Sequence, residues 1–135
     1  MSTIKVITLD DNENELVQIN LILKKIDNVK IIKSFRSHNT LIEFLEKNSC
    51  DIIFSDIEVG KENSIEILKT IDNLPEIVFV SSFPKYAHKS FSINPLHYIV
   101  KPVSRCEVLT SIDRFINKNT SPDPSSFFVK RLHSK

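Results

Sequence analysis

The sequence predicts an α/β domain, a five-stranded parallel sheet with helices on both faces, and three observations point there. Short β-branched runs alternate with amphipathic stretches five times along the chain. The third run, "DIIFSD", is apolar almost throughout, as a strand covered on both faces must be. At 135 residues the chain can bury one such core and needs no second domain.

"IKVITL" is the first strand. The helix after it carries Leu16, Ile19, Leu23 and Ile26 on one side, and Asn12, with Glu15 three residues later, suits its cap. "VKIIKSF" is the second strand, leading into a helix expected to bury Leu41, Ile42 and Leu45. "DIIFSD" follows as the third, its character suiting a central place in the sheet. Helix three then carries Ile65, Leu68 and Ile71 and is expected to stop near Leu74, because Pro75 disfavours helical geometry in the residue before it. "EIVFVSS" is the fourth strand, followed by a short helix through Tyr86, Ala87 and Phe91. "LHYIV" is the fifth; Ser104 with Glu107 makes a capping box for a last helix through Val108, Leu109, Ile112 and Phe115 that fades near Asn117. "NKNTSPDPSS" is polar, proline-bearing and aperiodic, hence a linker, and the final "FFVKRLHSK" has strand character with nothing to pair with.

Lys and Arg total 18 against 17 Asp and Glu, so no overall field draws the chain to nucleic acid or to an acidic membrane. The imbalance is local: Lys118, Lys130, Arg131 and Lys135 face only Asp123 over the last residues, and beside Phe127 and Phe128 they are a weak signal for nucleic acid. Cys50 and Cys106 lie far apart at the starts of apolar elements and read as reduced thiols packed as small hydrophobes. The N-terminus lacks the apolar core of a signal peptide, and no run approaches the ~20 apolar residues of a membrane span, so a cytoplasmic location is expected. Gly60 is the only glycine, which excludes a P-loop, a dinucleotide fingerprint and a G-x-S-x-G elbow. His38, His88, His97 and His133 share no spacing and read as surface or core-edge residues.

Right-handed crossovers bring the ends of all five strands to one edge of the sheet, where ligands of such folds sit. The sequence places Asp10 and Asp11 there from strand one, Asp56 from strand three, Ser81 and Ser82 from strand four, and Lys101 before Pro102 from strand five. If strands one and three are neighbours, ~4.8 Å apart, three carboxylates crowd one small volume, at a cost unless positive charge lies between them. Mg²⁺ suits this all-oxygen set, and no His or Cys is placed to recruit zinc. With the Lys101 charge and the Ser81 hydroxyl, the set matches transfer of a phosphoryl group onto a carboxylate, which is chiefly positioning and charge neutralisation.

The acid pair in "LDD", the lone acid in "IIFSDIEV", the hydroxyl in "VFVSS" and the segment "YIVKP" together resemble the receiver domain of bacterial two-component response regulators, over roughly residues 3 to 117. Within that family "VSSFPKYAHKSFSINPLHYIVKPVS" looks most like the LytTR (LytR/AlgR) type. The resemblance implies a flavodoxin-like (βα)5 fold with strand order 2-1-3-4-5. It implies that Asp56 accepts a phosphoryl group from a sensor histidine kinase, Asp11 is the principal Mg²⁺ ligand, Asp10 acts mainly through water, and the Glu58 carbonyl completes the shell. Ser81 becomes the switch hydroxyl, Lys101 the ion-pair partner of the phosphate, Tyr98 the aromatic that turns inward, and the Lys101–Pro102 peptide is expected to be cis. A phosphoaspartate should repack the face of helix four, strand five and helix five, where relatives are thought to dimerise or engage partners. Residues 1–118 are then the receiver and 119–135 a linker with the first strand of a truncated LytTR DNA-binding domain. On that view the chain is an excised or a stand-alone receiver, and DNA is engaged only through a domain these residues lack.

The family usually has Pro where Gly60 stands, Gly where Ser64 stands and Thr where Ser81 stands, so the loop after Asp56 is expected to differ in shape. Blander readings stand beside each residue. Asp10, Asp11 and Asn12 suit a polar strand end capping a helix, Lys101 alone suits a solvated loop, and Tyr98 and Phe91 suit packing against the sheet. Two rival functions remain: a haloacid-dehalogenase-like phosphatase with Asp10 as nucleophile, which leaves Asp56 without a task, and a receiver-like binding module that is never phosphorylated. A turnover enzyme is not expected.

Overall fold

The computed structural model describes residues 3–120. Of the linker and strand expected over residues 119–135, only Asn119 and Thr120 are described, and Asn119 is helical, not linker; the rest lie outside the described residues. Five strands, β1 (Ile4–Leu9), β2 (Val29–Phe35), β3 (Ile52–Ser55), β4 (Glu76–Ser81) and β5 (His97–Val100), form one parallel sheet in the order β2-β1-β3-β4-β5. This is the flavodoxin-like order expected. The helices are α1 (Glu13–Lys24), α2 (His38–Lys47), α3 (Ser64–Leu68), α4 (Ala87–Ser90), preceded by a 3-10 turn at Pro84–Tyr86, and α5 (Arg105–Asn119). A small antiparallel hairpin pairs Glu58–Val59 with Glu62–Asn63.

Side chains alternate along each strand, so the sheet builds two cores. Val6, Ile52, Phe54, Val78, Val80 and Ile99 meet Ile19 and Leu23 of α1 and Val108 and Ile112 of α5 on one face. Ile7, Leu9, Ile53, Ile77 and Phe79 meet Leu41 of α2 and Ile65 and Leu68 of α3 on the other. β3 is buried at all four positions, which explains its unbroken apolar run. Each fully buried Ile, Leu or Phe here contributes about 1.5–3 kcal/mol relative to exposure.

The caps are those the sequence suggested: Asn12 accepts from the Glu15 N–H at 3.1 Å and Ser104 from the Glu107 N–H at 3.3 Å. Several boundaries differ. α3 ends at Leu68, well before Leu74, because the N–H groups of Thr70 and Ile71 reach back only three residues and Asn73 turns left-handed at φ 54°. The stop is therefore set by local turns, not by Pro75. α5 runs on to Asn119, where the Thr120 N–H closes it on the Ile116 carbonyl at 2.9 Å.

In α2 only His38 and Leu41 are buried, while Ile42 and Leu45 are half-buried. Phe91 is not packed on the sheet; it is 70% exposed, capping the short α4. Cys50 is half-buried, its thiol pushed up to about 12 by burial and then by Asp51, but Cys106 is exposed. Among the described residues no helix is long and apolar enough to cross a membrane.

Candidate functional site

Register decides which side chains meet at the carboxyl edge. Leu9 pairs with Ser55, so Asp10 and Asp56, the next residues, leave adjacent strands at the same level. Ser81 pairs with Val100, and the Lys101 N–H donates to the Ser81 carbonyl at 2.8 Å, which aims the Lys101 side chain across the edge. Its peptide with Pro102 is cis, as expected.

Asp10, Asp11 and Asp56 each offer a carboxylate oxygen, all within 4.8 Å of one another. Lys101 lies among them, its Nζ 2.9 Å from Asp10, 3.5 Å from Asp56 and 3.9 Å from Glu15. Burial pulls the Lys101 pKa down, but the hydrogen bond to Asp10 and the charges of Asp56, Asp10 and Glu15 outweigh it, so the net shift is upward. Asp56 is held by its surroundings: its N–H donates to the Leu9 carbonyl at 2.9 Å, and its Oδ1 accepts from the Ile57 N–H at 2.8 Å. Burial first, and then the Asp10 charge, push its carboxyl up to about 6, against the opposing pull of Lys101 and the Ile57 N–H.

That shift has a sign. An acid that binds its proton more tightly when folded stabilises the fold below its unfolded pKa near 3.8, and this contribution is lost as pH rises through about 6. In chelator, the stability of Asp56→Asn relative to wild type should therefore grow from pH 4 to pH 7, by on the order of 2–3 kcal/mol. Chemical denaturation at several pH values checks this; a pH-independent difference contradicts the crowding of these carboxylates.

Asp11 is exposed, and its backbone carbonyl takes two N–H bonds from Arg36, at 2.9 and 3.3 Å. Its carboxylate accepts the Gly60 N–H at 2.9 Å. Gly60 adopts φ 63°, a backbone that glycine tolerates and proline cannot reach, and proline would also lack this donor. Gly60 thus lets the loop after Asp56 bend left-handed and anchor Asp11.

Glu58 is exposed on the hairpin, its carboxylate accepting the Tyr86 hydroxyl at 2.8 Å. Ser81 is buried at 1% exposure, its hydroxyl accepting from the Phe83 N–H at 3.0 Å. Tyr98 is half-buried against Phe79 at a 6.4 Å ring separation and donates its hydroxyl to the Phe83 carbonyl. Burial pushes the Tyr98 phenol up. Asp10, Asp11, Ser81 and Lys101 lie at the carboxyl ends of the strands or just past them, Tyr98 lies within β5, and Glu58, whose carbonyl was the expected ligand, sits on the loop after Asp56 with its side chain on Tyr86. A groove of about 720 Å³ beside Lys33, Phe35, Thr40 and Phe44 contains none of them.

Sequence reasoning missed His38. Expected at the surface or the core edge, it is fully buried at 2% exposure, and its Nε2 lies 2.8 Å from the hydroxyl of buried Ser64. No spacing signal joins two residues on separate helices. Arg36, which donates to the Asp11 carbonyl, was missed, and Glu15 was assigned only to the cap of α1 although it lies 3.9 Å from Lys101 Nζ, because contacts between distant segments leave no spacing signal.

The donor set fits a hard divalent cation: three carboxylates, no thiol or imidazole, and one of the three exposed to solvent. Comparison with known proteins agrees with the geometry. The model of the family described as response regulator receiver domain matches residues 6–113. Sensory transduction protein LytT of Bacillus anthracis is 30% identical over 121 residues, 87% of this chain and 49% of that protein. Transcriptional regulatory protein LytR of Staphylococcus aureus strain MW2 is 26% identical over 125 residues, 90% of this chain and 51% of that one. The chain spans about half the length of these curated relatives. Among solved structures, the response regulatory domain of protein mrkE from Klebsiella pneumoniae superposes with a TM-score of 0.76 at 21% identity, over 85% of this chain and 97% of that one.

Proposed function

This chain belongs to the response regulator receiver domain family, and on that premise we propose that it is the phosphoacceptor of a two-component system, with Asp56 taking a phosphoryl group from a sensor histidine kinase. The observation that carries the reading is the ion-paired cluster at the sheet edge, where Lys101 Nζ reaches both Asp10 and Asp56. An Asp56 carboxylate oxygen forms the new P–O bond as the P–N bond of phosphohistidine breaks and the imidazole departs with its electron pair. Hydrolysis returns inorganic phosphate and the free carboxylate.

Asp10, Asp11 and Asp56, with the Glu58 carbonyl, would hold Mg²⁺, and the ion when bound supplies charge neutralisation for the phosphoryl oxygens. Lys101 contributes a point charge that follows the new phosphate oxygens. Ser81 supplies the hydroxyl at the end of β4, and Tyr98 sits where movement of the β4–α4 loop would release its hydroxyl from the Phe83 carbonyl. Rearrangement would spread over α4, β5 and α5. Phe91 and Val100, 70% and 44% exposed, make that face a candidate homodimer contact. In a longer protein the same face would govern a LytTR-type DNA-binding output. Residues 1–118 would be the receiver unit, in a cytoplasmic setting.

The phosphatase reading fares worse. It leaves Asp56 without a task, and Asp10 is both more buried and more tightly paired, with Lys101 Nζ at 2.9 Å from Asp10 against 3.5 Å from Asp56. Beryllofluoride with Mg²⁺, followed by amide NMR, tests the switch. Shifts at Ser81, Phe83 and Tyr98 are expected; changes confined to Asp10, Asp11 and Asp56 would favour a module that binds anions without switching.

A further inference from the structure

Beneath the acceptor loop lies a buried polar relay that phosphoryl transfer as described leaves without a task. The Ser64 hydroxyl, at the start of α3, donates its proton to the Asp56 backbone carbonyl. A hydroxyl has one proton to give, so towards His38 its oxygen accepts, and the His38 proton must sit on Nε2, 2.8 Å away. Nδ1 is then bare: it is buried without a hydrogen-bond partner and faces the Glu62 carboxylate at 3.6 Å. Burial lowers the His38 pKa despite the pull of Glu62, which keeps the ring neutral at pH 7.

The relay ends on the acceptor itself. The Asp56 carbonyl takes a second hydrogen bond from the Ser55 hydroxyl at 2.7 Å, and the Ser64 N–H reaches the Ile57 carbonyl at 2.7 Å. Ser55 belongs to β3 and moves with it, so Ser64 is the tie from another element. Its hydroxyl is free to turn unless something donates to it, and His38, fixed at the first turn of α2, is that donor. A buried imidazole with one nitrogen unsatisfied is costly, and the cost has a return only if the geometry it enforces matters.

We propose that His38 is a positioning residue for phosphoryl uptake, holding the Ser64 hydroxyl on the Asp56 carbonyl and thereby fixing the direction of the acceptor carboxylate and of the loop that carries Glu58. This rests on Asp56 being the phosphoacceptor. His38 touches no reacting atom; it acts through Ser64.

Phosphorylation by acetyl phosphate with Mg²⁺, followed by intact mass, tests the role in wild type, His38→Leu, His38→Gln and Ser64→Ala. The glutamine amide can donate where Nε2 did. His38→Leu should lower the rate at saturating donor about tenfold, with the half-saturating donor concentration within about twofold of wild type. His38→Gln should recover to within about threefold, and the Leu and Ala changes combined should be no slower than the slower one alone, because both cut one relay. Folded His38→Leu with the wild-type rate, or His38→Gln as slow as His38→Leu, overturns the proposal. If His38→Leu does not fold, Ser64→Ala must still be slow and His38→Gln fast. Nitrogen-15 shifts of the His38 ring read the relay independently of any labelling: a neutral Nε2-protonated tautomer is expected, and an Nδ1-protonated one overturns it. Labelled wild type with unaffected variants removes only the role of His38, whereas wild type that gains no phosphoryl removes the functional reading and this role with it.

Discussion

Asp56→Asn is expected to lose all phosphoryl uptake and yet fold more stably than the parent. An amide oxygen is too weak a nucleophile to form the mixed anhydride, and the neighbouring acids are less well placed to replace it: Asp10 is more buried and lies nearer Lys101 than Asp56 does, and an Asp11 oxygen accepts the Gly60 N–H. The stability gain follows from the same crowding that raises the Asp56 carboxyl to about 6, through burial and then the Asp10 charge. Removing that charge while keeping its shape should gain on the order of 1–3 kcal/mol at pH 7 in chelator, or roughly 5–10 °C in Tm. Thermal melts and mass spectra on one preparation check both halves. Residual uptake in Asp56→Asn would place the acceptor elsewhere.

Lys101→Met should be the most damaging single change to the fold at this edge. The ammonium is nearly buried, its side chain 11% exposed, between Asp10 and Asp56 with side chains 8% and 13% exposed. Deleting one partner of a buried pair leaves the other charge uncompensated, typically at about 3–5 kcal/mol. Here Asp56 can relieve part of this by taking up a proton, so about 2–4 kcal/mol is expected at pH 8 in chelator, and less at pH 5. Adding Asp10→Asn to Lys101→Met should restore most of the loss. A Lys101→Met protein within 0.5 kcal/mol of wild type, which is the ordinary range for a surface substitution, would mean that the lysine is solvated and unpaired.

Much of this was legible in the chain, and the reason is the sheet. A period of two in side-chain direction, together with strands that all end at one edge, turns linear positions into a shared place, so Asp10, Asp56, Ser81 and Lys101 could be put together before any coordinates. The register pair Leu9 with Ser55 then made the first two level. What the chain does not announce is whatever depends on loops and helix ends. α3 stops at Leu68 through local turns, Phe91 faces solvent because α4 is only four residues long, and the Gly60 N–H finds Asp11 through a left-handed bend. His38 and Ser64 meet only because α2 and α3 pack on the same face of the sheet, and no local pattern encodes that meeting.

The central claim is that one side chain, Asp56, carries the phosphoryl group. Incubation of the wild-type chain with acetyl phosphate and Mg²⁺, trapping of the acyl phosphate by borohydride reduction, and peptide mapping test it most directly. A single PO₃ per chain, with the reduced residue at position 56, is the predicted result; an adduct on Asp10, on any other residue, or on none contradicts the account.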